Sequence, residues 1–125
     1  MQMKLLILSI YSLFSLSANA AKVTDIDSSQ LLESNTSDWL ILDVRSPEEF
    51  LLGHVPQAIN IPHDKIEQNM HTLIAYKDKT VVLYCKSGYR ANKAGKVLSQ
   101  LGFSELRHLD GDMSGWQKSG LPIQK

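Results

Sequence analysis

The sequence predicts an α/β fold in which helices cover a mostly parallel β-sheet. Short apolar runs alternate with segments of helical period, the pattern of strand–helix–strand units. The clearest runs are 39–42 and 80–84, and each gives way to a polar stretch. We therefore expect a three-layer α/β sandwich whose reactive groups gather at the carboxyl ends of the strands.

The first half of the chain alternates strand and helix signals. We predict a weak strand over 23–26, followed by a helix that Asp27 caps. The apolar run 39–42 is a strand ending at Asp43. In the stretch 46–49, serine, proline and two glutamates form a capping box with proline at the first helical position, which predicts a helix to about residue 52.

The second half continues the alternation. A brief strand at 58–61 lies between two prolines, and Asp64 is expected to cap a helix over 66–74. The run 80–84 is predicted as the central strand. A helix at 91–101, a strand at 106–109 and a short helix at 113–116 complete the predicted elements.

The first twenty residues have the features of a secretory signal peptide. Lys4 precedes an apolar run over 5–16, and Ala18-Asn19-Ala20 supplies the small residues of a cleavage site. The run of about 12 residues is shorter than the roughly 20 needed to span a bilayer, which disfavours an uncleaved anchor. We predict cleavage after Ala20 and a periplasmic protein with no membrane segment in its mature form.

The predicted mature chain, residues 21–125, is a single domain. Removing 20 of the 125 residues leaves 105, the size of one domain with one core. Because the signal peptide holds one of the 13 basic and none of the 13 acidic residues, the mature net charge is −1. This balance does not suggest a nucleic acid or anionic membrane partner, and we expect a monomer.

Cys85 is the only cysteine in the sequence and follows the predicted central strand. A lone cysteine cannot form an internal disulfide, and a thiol in an oxidising compartment is exposed to oxidation. A buried structural cysteine is the alternative reading. The polar, glycine-containing loop after Cys85 favours a reactive nucleophile instead.

The loop residues 86–90 offer ways to stabilise a thiolate. Backbone amides can form an anion-binding nest, the following helix adds its positive end, and Gly88 permits a backbone angle closed to other residues. Lys86 and Arg90 can attract an anionic donor, with Arg90 able to bind oxyanion oxygens bidentately. Alternatively, Lys86 is a solvated surface charge and Arg90 a structural tie.

Four segments resemble signatures of the rhodanese family of sulfurtransferases. They are the early strand-to-helix segment 42–50, the following segment 53–62, the cysteine loop 84–90 and the glycine- and tryptophan-containing segment 109–116. They occur in the family's order and at its usual spacing. One departure is Asp112, where many relatives carry a second glycine, and which we expect either to restrict the turn or to cap the last helix.

The resemblance implies a rhodanese-like domain with a five-stranded parallel sheet and no cofactor. It also implies a double displacement in which Cys85 takes the outer sulfur of thiosulfate as a persulfide and passes it to a thiophilic acceptor such as cyanide or a thiol. On this reading Cys85 is catalytic. The substrate-binding residues are those of the loop after it, Lys86, Ser87, Gly88, Tyr89 and Arg90.

Other polar residues receive structural interpretations. Asp43 and Arg45 are expected to form a partly buried ion pair, and Glu49 to complete the capping box. Trp116 is expected in the core or a pocket wall. The four histidines lack metal-ligand spacing, so no metal site is predicted, and His54 is interpreted as a polar turn residue rather than a catalytic partner of Cys85.

Two other functions stay open at this stage. Related phosphatases place five residues between cysteine and arginine, whereas four separate Cys85 from Arg90, so a phosphate would be cramped. A rhodanese-like module that carries or binds persulfide with little turnover is the second alternative. Steady-state kinetics distinguish that module from an enzyme.

Overall fold

The sheet is five-stranded and entirely parallel. A computed structural model describes residues 21–125, and the predicted signal peptide lies outside these residues. The strands follow the spatial order β1-β5-β4-β2-β3, so β4 is central. They are β1 (Thr24–Ile26), β2 (Leu40–Asp43), β3 (Ile59–Asn60), β4 (Thr80–Tyr84) and β5 (Glu105–Leu109).

Helices connect the strands and cover both faces of the sheet. The α-helices are α1 (Ser28–Glu33), α2 (Pro47–Leu52), α3 (Met70–Leu73), α4 (Tyr89–Gln100) and α5 (Asp112–Lys118). Two 3₁₀ turns, Glu67–Asn69 and Ile74–Tyr76, flank α3. The predicted three-layer α/β architecture with five parallel strands is therefore confirmed. Within residues 21–125, every helix is too short or too polar to cross a membrane.

Two apolar clusters lie on the two faces of the sheet because strand side chains alternate in direction. One cluster joins Leu42 and Leu83 to Ala94 and Leu98 of α4, and it also contains Cys85. The other joins Ile41, Val82 and Tyr84 to α1 and α5, and it contains Trp116. Both faces of β4 are thus buried, which explains its unbroken apolar sequence.

The predicted helix starts are confirmed at two positions. The Asp27 side chain accepts a hydrogen bond from the Gln30 backbone N–H, and Oε1 of Gln30 accepts one from the Asp27 backbone N–H. Ser46 and Glu49 form the same reciprocal box, with Pro47 as the first helical residue. These local contacts satisfy amides that the first helical turn leaves without partners.

The predicted cap at Asp64 is wrong, and of the two alternatives for Asp112 the helix cap is not observed. Asp64 does not start a regular helix, because the segment over 66–76 winds as 3₁₀, α and 3₁₀ turns, and none of the three begins with a side-chain cap. Asp112 does not cap α5, since the residue before the helix is Gly111, which has a φ of 87°. The Asp112 carboxylate instead faces the cysteine loop.

A C-terminal strap crosses the segment that follows α2. His54 and Gln124 form an antiparallel bridge with two backbone hydrogen bonds of 2.9 Å. The Trp116 indole N–H donates to the Pro122 carbonyl at 2.7 Å, which holds the start of the strap. The strap thereby joins the end of the chain to the segment between α2 and β3.

Candidate active site

Cys85 lies immediately after β4 and is buried at the N-terminus of α4. Its Sγ accepts the backbone N–H groups of Gly88 at 3.0 Å and Ala91 at 3.4 Å. Donors at a helix N-terminus stabilise negative charge, so this environment favours the thiolate. The predicted amide environment of the thiol is confirmed, with two donors in contact with sulfur.

Gly88 gives the loop its shape. It has a φ of 121°, a conformation that residues with a Cβ rarely adopt. A Cβ built there would also lie 3.4 Å from Oδ2 of Asp112. The predicted conformational role of Gly88 is therefore confirmed, and the same geometry directs its amide at the Cys85 sulfur.

The first turn of α5 holds the loop from the other side. Met113 N–H donates to the Cys85 carbonyl at 2.9 Å, and Ser114 N–H donates to the Lys86 carbonyl at 3.1 Å. These carbonyls are engaged by α5, while the amides of Gly88 and Ala91 point at Sγ. The loop thus presents donors rather than acceptors to the sulfur.

Three predicted substrate-binding residues lie on the rim of the site. Lys86, Ser87 and Tyr89 are exposed, and Tyr89 retains 70% of its accessible surface. Nζ of Lys93 lies 5.2 Å from the centroid of the Tyr89 ring. The thiol itself is 1% exposed, so the rim and not the sulfur meets bulk solvent.

Arg90 is engaged by Glu49 of α2. Its two terminal nitrogens donate to the two carboxylate oxygens at 2.7 and 3.1 Å. The hydrogen bond to Glu49 is the main factor that raises the pKa of Arg90, against the opposing effect of burial. The expected bidentate binding of a donor oxyanion is not available in this arrangement, and the geometry favours the alternative role of a structural tie.

Glu49 therefore does more than complete the capping box. The hydrogen bond from Arg90 is the largest cause that lowers the pKa of Glu49 to about 2 from its ordinary 4.5. Because folding lowers its pKa, the Glu49 carboxylate stabilises the fold at pH values above the pKa of the unfolded chain. It loses that contribution as the pH falls from 4.5 toward 2.

Glu49→Gln is expected to weaken the acid sensitivity of the fold. Between about pH 6 and pH 3, the wild type should lose more unfolding free energy than the variant, because only the wild type protonates this carboxylate on unfolding. Urea unfolding at both pH values measures the difference. Glu48 is the exposed neighbour and serves as the control, so Glu48→Gln should retain the pH dependence of wild-type stability. If Glu49→Gln and the wild type showed the same pH dependence, the ion pair with Arg90 would not be the source of this acid sensitivity.

Asp43 and Arg45 form a buried network with Tyr84 beside the cysteine loop. The Arg45 guanidinium donates to Asp43 at 2.7 Å, and the Tyr84 hydroxyl donates to the same carboxylate at 2.7 Å. Val55 N–H donates to the Tyr84 oxygen, and Arg45 reaches the Gly53 carbonyl. The predicted ion pair is present and links β2, β4 and the segment after α2.

The network alters the ionisation of its members. Burial opposes the charge of Arg45, but hydrogen bonding and the charge of Asp43 outweigh it and raise the pKa of Arg45. Burial, followed by the charge of Asp43, raises the pKa of Tyr84, which stays neutral as a donor. Because Arg45 keeps its charge and Tyr84 its proton, the network acts as a scaffold rather than a proton-transfer chain.

A small cavity of about 170 Å³ opens beside the cysteine loop. Its wall combines two cations, one carboxylate and apolar groups from α2 and α5, namely Arg45, Glu49, Leu52, Gly53, Lys86, Met113 and Gln117. Trp116 lies in the same core cluster as Met113 but does not line this cavity. Among residues 21–125, no cluster of His, Cys, Asp and Glu side chains suits a metal ion.

The structure also reveals a pair that sequence reasoning missed. His108 of β5 faces Asp112, and the Asp112 carboxylate accepts the Cys85 backbone N–H at 3.0 Å. In the sequence, the one indication of this pair was Asp112, at a position where many relatives carry glycine. His54, by contrast, stacks on Phe50 with ring centroids 3.7 Å apart, consistent with its predicted structural role.

Comparison with known proteins identifies the family. Residues 27–119 match the rhodanese-like domain. A sulfurtransferase from Allochromatium vinosum is 37% identical over 103 residues, covering 81% of this chain and 94% of that protein. A tRNA uridine(34) hydroxylase from Escherichia coli is 30% identical over 95 residues and covers 70% of this chain, but the match spans only 27% of that protein.

A solved structure agrees with these sequence matches. The rhodanese-related protein from Thermoplasma volcanium superposes with a TM-score of 0.69 at 31% identity, covering 81% of this chain and 97% of the other. A sulfurtransferase relative of nearly equal length supports a role of the same kind in this chain. The chain belongs to the rhodanese-like family.

Proposed function

We propose that this protein is a thiosulfate sulfurtransferase that carries sulfur on Cys85. The observation that carries the proposal is the Cys85 Sγ at the end of β4, held by the amides of Gly88 and Ala91. Two N–H donors stabilise negative charge on Sγ, which supports its use as a nucleophile and as the leaving group of the second displacement. The A. vinosum relative named a sulfurtransferase supports the same class of reaction.

The proposed reaction has two displacements. The Cys85 thiolate attacks the outer sulfur of thiosulfate, a sulfur–sulfur bond forms at Sγ, and the sulfur–sulfur bond of thiosulfate breaks with its electron pair leaving on sulfite. Cyanide or a thiolate then attacks the outer sulfur of the persulfide, which returns the electron pair to Sγ. Splitting the transfer in this way predicts ping-pong kinetics.

Lys86 is the proposed attractor of the anionic donor. It is exposed and lines the cavity beside the loop, whereas Arg45 and Arg90 are committed to Asp43 and Glu49. A mobile ammonium group at the mouth raises the local concentration of a doubly charged ion. We assign Arg90 to holding α4 against α2, which fixes the amides that face sulfur.

Lys86→Gln is expected to raise KM for thiosulfate roughly three- to tenfold with a smaller change in kcat, because the lost charge acts on encounter. Added salt should narrow the difference between variant and wild type. Lys79→Gln is the matched control, since Lys79 is exposed at the opposite, amino end of β4. An unchanged KM in Lys86→Gln would show that Lys86 is a solvated surface charge and does not attract the donor.

Intact-mass measurement tests the proposed function directly. After incubation with thiosulfate, the wild type should gain one sulfur atom, and cyanide should remove it. Cys85→Ser should gain none. Absence of the adduct in the wild type, or its survival in the serine variant, would reject the mechanism. Efficient hydrolysis of an aryl phosphate by the wild type would favour the phosphatase alternative instead.

The rate of steady-state turnover distinguishes an enzyme from the persulfide-carrier alternative. Parallel double-reciprocal lines for thiosulfate and cyanide, with substantial steady-state turnover, support the enzyme. Ready loading of Cys85 with negligible turnover would favour a carrier that hands sulfur to a partner protein.

We also propose that the protein is exported and acts as a monomer in the periplasm. The signal-like pattern of residues 1–20 supports this location, and the family match begins after it, at residue 27. Mass measurement of the protein from a periplasmic extract should give a chain that starts at Ala21. A chain retaining Met1 in the cytoplasmic fraction would contradict the location, and light scattering checks the oligomeric state.

A further inference from the structure

Asp112 is a buried carboxylate at the backbone of the proposed nucleophile. It is 2% exposed, and Oδ1 accepts the Cys85 N–H at 3.0 Å. Its φ of 55° lies in the left-handed region, which is uncommon for residues other than glycine and costs conformational energy. A strained backbone and a buried charge in one residue indicate that its side chain has a specific task.

Gly88 lies close to both the Cys85 sulfur and the Asp112 carboxylate. The Gly88 amide is 3.0 Å from Sγ, and a Cβ built on Gly88 would be 3.4 Å from Oδ2 of Asp112. Because the same carboxylate also binds the backbone N–H of Cys85, it disfavours a second negative charge on that residue, whether thiolate or persulfide anion. The site therefore needs a compensating cation.

His108 supplies that cation. Its Nε2 lies 3.0 and 3.1 Å from the two oxygens of Asp112. The hydrogen bond to Asp112 is the main factor that raises the pKa of His108, against the opposing effect of burial. Among residues 21–125, His108 is the cationic side chain in hydrogen-bond contact with this carboxylate.

The other groups around His108 are acidic or uncharged. Asp25 of β1 lies 3.8 Å from Nδ1, and Asp110 in the turn before α5 adds a second negative charge. On β4 the residue in register is Leu83, and from the start of α4 it is Gly88, without a side chain, that faces the imidazole. Every charged neighbour named here thus favours the imidazolium.

We propose that His108 and Asp112 are positioning residues for Cys85, with Asp112 fixing the nucleophile's backbone and protonated His108 cancelling the carboxylate charge beside the sulfur. The inference rests on the proposed function in taking Cys85 as the nucleophile. It extends that function by making the reactivity of Cys85 depend on the charge of a residue on β5.

His108→Asn tests the charge balance, because asparagine keeps an amide donor for Asp112 and removes the positive charge. The readout is the rate at which iodoacetamide alkylates Cys85 across a pH series, with no sulfur donor present. At neutral pH we expect alkylation about tenfold slower than in the wild type, with the midpoint of the pH profile about one unit higher. An unchanged profile in a folded His108→Asn would overturn the proposal.

The double variant His108→Asn/Asp112→Asn distinguishes charge balance from simple loss of structure. It removes both charges and keeps a carbonyl that accepts the Cys85 N–H, so alkylation should return to within about twofold of the wild type. A purely structural role predicts a double variant no faster than the single one, and that result would reject the inference. Thermal unfolding of each variant verifies the fold.

The single variant Asp112→Asn keeps the proposal testable if His108→Asn does not fold. It removes the negative charge and keeps the acceptor, so alkylation at neutral pH should equal or exceed that of the wild type, and a tenfold loss would contradict charge balance. The assay is independent of sulfur transfer. If the wild type is alkylated as expected but gains no sulfur from thiosulfate, the proposed function fails while the role of the pair stands.

Discussion

Cys85→Ser is expected to lower kcat/KM for sulfur transfer from thiosulfate to cyanide by on the order of a thousandfold or more, the usual scale for loss of a nucleophile. A serine hydroxyl is scarcely ionised at neutral pH and cannot form a persulfide. Cys85 is the only thiol in the sequence, so no second cysteine can substitute. Steady-state thiocyanate formation measures the effect.

The serine variant should fold as the wild type does. Serine differs from cysteine by one atom, and its Oγ can still accept the amide of Gly88, which bonds Sγ at 3.0 Å. Matching thermal unfolding curves would confirm that lost turnover reflects lost chemistry. Turnover within about tenfold of the wild type would refute a covalent role for Cys85.

Asp43→Ala is expected to destabilise the fold by about 3–5 kcal/mol, the scale for breaking a buried ion pair. The change leaves the Arg45 guanidinium buried with only the Gly53 carbonyl as acceptor, and it removes the acceptor of the Tyr84 hydroxyl. Since domains are stable by about 5–15 kcal/mol, a large part of the total would be lost. Urea unfolding followed by fluorescence measures it.

Two variants make this prediction specific. Glu105→Gln breaks the exposed pair with Arg107, whose N–O distance is 3.0 Å, and should cost less than about 1 kcal/mol. Asp43→Ala combined with Arg45→Met removes both buried charges and should recover part of the loss. If the double variant were less stable than Asp43→Ala, the cost would not come from an uncompensated guanidinium.

Local signals predicted most of the fold. The run Thr80–Tyr84 matches β4 residue for residue, because a strand buried on both faces must be apolar throughout. Ser46 and Glu49 are three residues apart, so their capping box depends on neighbours alone. The predicted helix after Asp64 was wrong because a suitable cap residue does not by itself make the following segment a regular helix.

The contacts that shape the site were harder to predict since they join distant segments. Arg90 and Glu49 are 41 residues apart in sequence, as are Tyr84 and Asp43. Functional groups of parallel sheets gather at the carboxyl ends of the strands, and this rule predicted that these residues share one edge of the sheet. It did not predict which charged side chains pair there. The sequence around Asp112 allowed the incorrect expectation of a helix cap, and only the folded chain places it against Cys85 and His108.

The sheet order has a consequence for how the chain folds. Among the described strands, β1 hydrogen-bonds only to β5, and the strap joins Gln124 to His54, so both contacts join segments that lie far apart in the sequence. Such non-local pairing is slow, because the chain loses loop entropy before these contacts compensate for it. The sheet therefore stays incomplete until β5 pairs with β1 and β4, and before that step Cys85 lacks the backbone contacts that Asp112 and Met113 make after β5.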